Sequence, residues 1–262
     1  MKKFIFIFCL GNQIISAQVK GLINFGFVES IGQGNGKGTD YYSYLLFDKN
    51  KSYFVTAKDS LEKEQKRFEQ KVILDDVKGG GAIYNGMKTT PQGDQVFYDV
   101  LKKTIWSNFL YVKQIYVKEN ATIINWKIYN ETKRVGNFVC KKATCFFRGR
   151  EYTAWFTSNI PVPFGPWKLN GLPGLILEAY DKDKFAFWYF KNVEYPTKNE
   201  ERIKNVQKLK NEKIVFLSID EYKQRQIKLF EMRKEKNIIL HKEFPNVIFP
   251  DGELRNMFLE VL

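Results

Sequence analysis

The chain of 262 residues is 44% hydrophobic and 16% aromatic, and its 42 Lys and Arg outnumber 29 Asp and Glu to give a formal charge of +13. That apolar content excludes a disordered chain, and the length suits one large β domain with a real core, or two small ones. The basic balance fits an anionic surface, such as an envelope face or acidic glycans, or simply solubility; with no recognition helix, zinc knuckle or aromatic RNP-like motif, no nucleic-acid partner is expected.

Lys2 and Lys3 precede an unbroken apolar run over 4–10, and Ser16 and Ala17 offer small residues to a signal peptidase. This is the three-part pattern of an export signal. The run is far short of the roughly 20 apolar residues of a membrane-spanning helix. Residues 1–17 therefore read as a signal peptide and residues 18–262 as one exported domain, in the periplasm, at the cell surface or outside the cell. Phe8 precedes Cys9 where a lipobox wants a small residue, so no lipidation is expected.

Residues 22–30 are apolar, β-branched or aromatic and read as a strand. The alternating Gly32, Gly34, Gly36 and Gly38 read as a hairpin loop, because a phosphate cradle needs a strand, a glycine turn and then a helix. Residues 41–47 and 52–57 flank the turn 48–51. The charged, Pro-free stretch 60–70 is expected as a short surface helix and Gly79-Gly80-Gly81 as a loop. Strands are expected over 95–101, 109–117, 122–129 and 138–147, with a turn at 130–133, and 151–157 continues the 138–147 strand after a bend at Gly149. Strands 175–180 and 185–193 flank a turn at 181–184.

Residues 197–213, dense in Lys, Asn and Glu, read as a solvated helix or lid-like connector, and 214–217 as a short strand. Ser218 and Glu221 have capping-box spacing. Ile219, Tyr222, Ile227 and Phe230 follow at roughly helical spacing, an amphipathic helix packed on a sheet. The fold class is mainly β, within α+β: a curved antiparallel sheet or half-barrel with a few covering helices. Strands 175–180 and 185–190 are apolar on both faces, which demands cover on each side, by helices, by a second layer or around an apolar cavity.

Catalytic signals are sparse. His241 is the single histidine, and no G-x-S-x-G elbow or recognisable nucleophilic cysteine accompanies it. No clustered His and Cys mark a zinc site, and the lysines around Asp181 and Asp183 oppose calcium, so no metal or cofactor is expected. Paired carboxylates for glycoside hydrolysis come from distant strands, and no pair is singled out. On one strand Cys140 and Cys145 stand roughly 16 Å apart, beyond the about 7 Å of a disulfide, which predicts two unpaired thiols.

The densest feature spans 135–181. It holds Gly136, Cys140, Lys142 and Ala143, then Arg148-Gly149-Arg150, Ala154-Trp155-Phe156-Thr157, Ile160-Pro161, Gly165-Pro166-Trp167, and the hexapeptide Gly171, Leu172, Pro173, Gly174, Leu175, Ile176. In these motifs the chain resembles the GLPGLI family, secreted proteins of Bacteroidota related to a Porphyromonas-type family and without an established biochemical function. The hairpin over 41–57 is similar to the family's N-terminal part.

The hexapeptide also has a physical reading. Gly171 and Gly174 permit positive φ and Pro173 fixes its own, so Leu172 plugs a core while the chain turns into the next strand. Arg148, Arg150, Trp167 and Trp188 are the candidate ligand-binding residues. If the strand stays regular across Gly149, Arg148, Arg150 and Tyr152 share one face. Two guanidiniums there grip a carboxylate or phosphate, or else make structural ion pairs on a solvent face.

The order of elements is similar to that of lipoprotein-carrier proteins with a half-barrel and helical lid, an analogy of fold alone. The expectation is a non-enzymatic envelope protein that binds or carries an apolar or amphipathic ligand or an exported polypeptide, with an envelope component or outer-membrane protein as partner. A secreted carboxylate-dependent hydrolase and a structural subunit of a surface complex are the alternatives.

Overall fold

The computed structural model describes residues 19–31, 39–56, 71–75, 80–84, 93–111, 113–199, 214–247 and 252–262. The export signal, the glycine-alternating loop, the 60–70 helix and most of the 197–213 connector lie outside the described residues.

The strands in chain order are β1 Gly21–Glu29, β2 Thr39–Phe47, β3 Lys51–Thr56, β4 Lys71–Asp75, β5 Gly80–Tyr84, β6 Asp94–Asp99, β7 Thr104–Tyr111, β8 Lys113–Asn120, β9 Lys127–Val135, β10 Phe138–Phe147, β11 Arg150–Thr157, β12 Leu175–Asp181, β13 Ala186–Glu194 and β14 Phe216–Leu217. One helix, α1 Ile219–Glu243, and a 3-10 turn, Leu254–Asn256, follow among the described residues. Strands β4 and β5 pair by themselves, and the other twelve form one sheet in the order β14-β8-β7-β6-β3-β2-β1-β13-β12-β11-β10-β9. Its neighbours are antiparallel except β14, which runs parallel to β8. The mainly β, curved-sheet expectation holds: the sheet is mixed and not closed into a barrel.

The curvature follows from the connections. Strands β8 and β9 are consecutive in the chain but ten positions apart in the sheet. In a flat sheet that is ten spacings of about 4.8 Å, roughly 48 Å. The seven Cα steps from Asn120 to Lys127 reach at most about 25 Å. The two wings must therefore bend toward each other. The 121–126 linker carries no ladder pairing, and Trp126 Nε1 anchors it by donating to Asn170 O at 2.8 Å.

The concave face holds the main core. Phe25, Phe27, Leu45, Phe54, Ala154, Leu175, Leu177 and Trp188 all belong to this one buried cluster. A smaller cluster of Leu22, Tyr44, Leu46, Tyr53 and Val55 occupies the other face of β1 to β3, with Trp106 and Phe97 packed on it. Central strand β1 is buried on both faces from Gly21 to Phe27, as a strand covered on two sides must be.

Several expected boundaries move. The 109–117 segment belongs to two strands, β7 and β8, and Gly80 and Gly81 open β5 instead of lying in a loop. Residues 130–133 lie inside β9, whose turn into β10 falls at Gly136, where φ is +55°. Asn, Glu and Lys at 130–133 sit on a strand with mostly exposed side chains, where polarity reflects solvent rather than a turn. The 151–157 strand reverses at Gly149 instead of continuing the previous one.

Helix α1 begins on the expected capping box: Ser218 Oγ accepts from Glu221 N–H and the Glu221 carboxylate accepts from Ser218 N–H at 2.7 Å. Near its start Tyr222 packs with Ile115 and Val117 of β8, and Gln226 and Asn237 are buried later in the helix. Met232, Ile238 and Ile239 further along are more than half exposed. No helix among the described residues is long and apolar enough to cross a membrane.

Candidate functional site

A trough of about 220 Å³ opens on the concave face. One wall is aromatic and apolar: Phe27 from β1, Phe54 from β3, Trp188 from β13 and Trp167 from the β11–β12 connection. The other is polar, with Glu29, Thr56, Asp94 and Ser107 from β1, β3, β6 and β7, while the neighbouring Gln95 and Asn108 share the register of Val55 and Trp106 on the opposite face. Gln95 and Asn108 are locked to each other, Gln95 N–H donating to Asn108 Oδ1 at 2.6 Å and Asn108 Nδ2 to Gln95 Oε1 at 3.2 Å. Met257, Phe258, Leu259 and Glu260 form the roof.

Trp188 is the centre of the apolar wall. Its ring stacks between Phe27, at 4.9 Å and 6°, and Trp167, at 6.2 Å and 8°. Trp188 is fully buried, and its indole N–H has no acceptor among the described residues. A buried donor left unpaired costs free energy that an acceptor on a bound molecule would recover. Trp167 reaches the stack from a left-handed backbone, φ +53°, which a bulky side chain adopts only when its surroundings compel it.

Beside the trough lies a buried charge cluster drawn from both wings. Lys168 Nζ is 2.5 Å from Glu119 Oε1 of β8 and 2.8 and 2.7 Å from the two Glu260 oxygens. Arg148 pairs through Nη2 with Glu119 and through Nε with Glu260, the latter at 3.2 Å. Two cations and two carboxylates balance, as groups this deep must, since an unpaired ion is costly to bury. Lys168 is 2% exposed, Glu260 5% and Glu119 8%.

Arg148 and Arg150 do not share a strand face. They flank Gly149 in a hairpin closed by the Phe147–Arg150 pair, with φ +49° at Arg148 and +74° at Gly149. These angles match a two-residue turn whose twist suits antiparallel strands. The reversal sends the guanidiniums to separate sites. Arg150 Nη1 meets Asp181 Oδ2 at 2.9 Å, with both side chains 2% exposed. Its other nitrogens donate to the carbonyls of Arg255, Phe258 and Leu259. Arg150 is therefore a buried linchpin, not the solvent-face residue that a regular strand implied. Asp181 also accepts from Ala186 N–H at 2.7 Å, so its carboxylate is engaged within the fold.

The hexapeptide leads out of the β11–β12 connection into β12. Gly171 has φ +93°, and Leu172 is 1% exposed, the expected plug. Gly174 differs from expectation: its φ is not left-handed, and what it requires is closeness. A Cβ there would stand 2.2 Å from Thr157 O, a backbone atom that cannot yield. Leu175 and Ile176 N–H then donate to Ile160 O and Phe164 O at 3.0 and 2.9 Å. Phe164 packs fully buried against Phe47 and Tyr98.

Cys140 and Cys145 both lie on β10, buried and unpaired. Burial pushes their thiols up to about 11 and about 12 respectively, away from reactive thiolate. His241 is exposed at the end of α1. Among the described residues no group of His, Cys, Asp and Glu is arranged to hold a metal ion.

Of the four candidate residues, the structure brings Trp167 and Trp188 into one stack on the trough wall, and places Arg148 in the charge cluster beside the trough and Arg150 in the Asp181 site, neither of them lining it. Sequence reasoning missed Glu119, Lys168 and Glu260. The available signal was an acid or a lysine set in apolar surroundings, Met257-Phe258-Leu259-Glu260-Val261-Leu262 and Trp167-Lys168-Leu169.

Residues 147–178, which contain the two arginines, Trp167, Lys168 and the hexapeptide, match the model of a family described as a protein of unknown function (Porph_ging). The segment is thus similar to a Porphyromonas-type family. No curated protein matches the chain. Among solved structures, PNGF-II in a P21 crystal covers 79% of this chain with a TM-score of 0.52 at 14% identity. PNGF-II in a C2 crystal does so with a TM-score of 0.51 at 13% identity. The chain spans 32% of the length of PNGF-II, and the likeness is one of fold.

Proposed function

We propose that this is an exported envelope protein of the GLPGLI type from Bacteroidota, whose role is to bind an amphipathic guest in the trough without chemically changing it. The observation that carries the reading is the wall of stacked Phe27, Trp188 and Trp167 facing a polar wall, together with a buried Trp188 N–H that has no acceptor among the described residues. Apolar concave sites with a few placed polar groups are the usual form of ligand pockets. At about 220 Å³ the space is below the about 300–1,000 Å³ of drug-sized sites, so a guest is slim or shifts the roof.

The test is tryptophan fluorescence with a single-chain acyl detergent below its micelle concentration. A saturable shift at micromolar probe is expected, weakened by Trp188→Phe and unaffected by Trp106→Phe, which lies on the opposite face of the sheet. A response equally sensitive to both substitutions, or none at all, refutes the trough. Turnover of ester, glycoside or peptide substrates by the purified protein would transfer the case to a secreted hydrolase. Export is tested separately by the mass of the protein recovered from its host, expected to begin at Gln18.

A further inference from the structure

The segment 252–262 is held as a ligand is held. Its only backbone-to-backbone bond to the rest of the described chain runs from Val261 N–H to Arg148 O, at 3.2 Å. The remaining polar contacts come from buried side chains reaching its backbone. Arg150 Nε donates to Leu259 O at 3.1 Å, and its Nη2 to Phe258 O at 3.0 Å and to Arg255 O. Gln226 Nε2 of α1 donates to Glu260 O at 2.6 Å. Arg150 and Gln226 are 3% and 2% exposed.

Side chains add a pattern to this backbone grip. Leu259 packs on the main core and Leu262 against Ile115, Val117 and Tyr222. Between them the Glu260 carboxylate enters the Lys168–Arg148 pair. Donors aimed at carbonyls, a cation pair aimed at a carboxylate and apolar seats on either side together read a polypeptide, here one that turns at 254–256 and bends at Leu259 and Glu260.

We infer that the groove holding 252–262, the segment that roofs the trough, is a polypeptide-binding site with that segment as its resident occupant, and that its guest in trans is a polypeptide segment bearing a carboxylate flanked on both sides by apolar side chains. The inference rests on the binding reading above and names the guest's class. A fatty acid satisfies the Lys168–Arg148 pair but leaves the carbonyl-directed donors of Arg150 and Gln226 unpaired, which is why a polypeptide is favoured. Exchange of the occupant breaks no ladder of the sheet, since the segment belongs to none.

The probe is a fluorescein-labelled peptide of residues 252–262, titrated by anisotropy into the full-length protein. The tethered copy competes at high effective concentration, so wild-type protein binds weakly. Glu260→Lys places a cation against Lys168 and Arg148 and loosens the resident segment, and this variant is expected to take up the peptide roughly tenfold more tightly. The peptide carrying the same Glu260→Lys change is expected to bind neither protein.

Leu259→Ala is a second, milder way to loosen the segment, and near-UV circular dichroism confirms that each variant is folded. A folded variant that gains no peptide affinity, or binding indifferent to the peptide's charge, overturns the inference. So does the failure of both variants to fold, which would make the segment an integral part of the core. Acyl-probe binding without peptide binding overturns the polypeptide assignment and leaves the amphipathic site standing. Loss of both probes overturns the site itself.

Discussion

Arg150→Met removes the guanidinium that joins β11, the Asp181 turn and the 252–262 segment. The methionine keeps much of the aliphatic volume, so packing changes little. What changes is charge: Asp181 stays 2% exposed and loses its counter-ion. Breaking one side of such a buried pair costs about 3–5 kcal/mol, because the remaining charge has no solvent to turn to. Asp181 retains the Ala186 N–H bond, which softens the penalty without replacing a full charge. For a domain of this size each kcal/mol lowers Tm by about 2–4 °C, so a drop on the order of 6–20 °C is expected.

Melting followed by circular dichroism measures this directly, and a second variant separates charge from shape. Arg150→Met combined with Asp181→Asn removes both ions, keeps an acceptor for Ala186 N–H, and is expected to recover a substantial part of the loss. Limited proteolysis should show 252–262 cleaved earlier in both, since three of its carbonyls lose their donor. A single-variant shift below about 2 °C, equivalent to roughly 1 kcal/mol at most, would show that Arg150 is not a buried linchpin in solution.

Gly174→Ala forces a Cβ to within 2.2 Å of Thr157 O and should destabilise by about 1–3 kcal/mol in a urea titration; a neutral result would mean the β11–β12 connection departs from this course. Lys168→Met leaves Glu119 and Glu260 buried together, and its melting point should fall well below that of Lys168→Met with Glu260→Gln, the reverse order refuting the shared role of the lysine. Both cysteines should resist alkylation in the native protein and react fully after denaturation without reductant, a disulfide-linked monomer being the contrary result. Because folding raises both thiols above their ordinary 9.0, the native state retains protons that the unfolded chain releases; this contribution is complete below pH 9 and is lost as pH climbs toward 11 and 12, so an otherwise identical Cys140→Ala, Cys145→Ala protein should melt with a shallower alkaline decline.

The fold class was legible because strand signals are local. Alternation and aromatic runs marked β1, β2, β10, β12 and β13, and the Asp181 turn was readable from its own residues. The capping box was equally local, satisfied within four residues of chain. The misreadings arose where polarity has two causes. Asn130 to Lys133 look like a turn but occupy a solvent-facing strand, and Gly149 looks like a kink but is half of a reversal. The conformations differ while the composition does not.

The trough was legible on one side only. Trp167 and Trp188 stood out as aromatic residues in a dense motif or on a doubly apolar strand. The charge cluster did not, because its members lie far apart: Glu119 and Glu260 are joined only after the sheet has curled. Arg148 and Arg150 were singled out for their spacing, yet their roles are set by partners at 119, 181 and 255–260 that no spacing rule reaches.

The cluster also explains how a twelve-stranded sheet can remain open and still hold its shape. Glu119 sits on the second strand from one edge, and Arg148 follows the second strand from the other. Their pairing, completed by Lys168 and Glu260, joins the wings by side chains where a barrel would use a ladder of backbone bonds. A ladder is cooperative and closes the space it surrounds. A cluster of four charges can be taken apart by one competing carboxylate, provided that group brings apolar surface to fill what Leu259 vacates. Salt cannot supply that substitute, because buried pairs are little screened. An open sheet clasped by ions, with an acidic segment as one of its members, is therefore an arrangement that answers to a guest of particular chemistry more than to ionic strength.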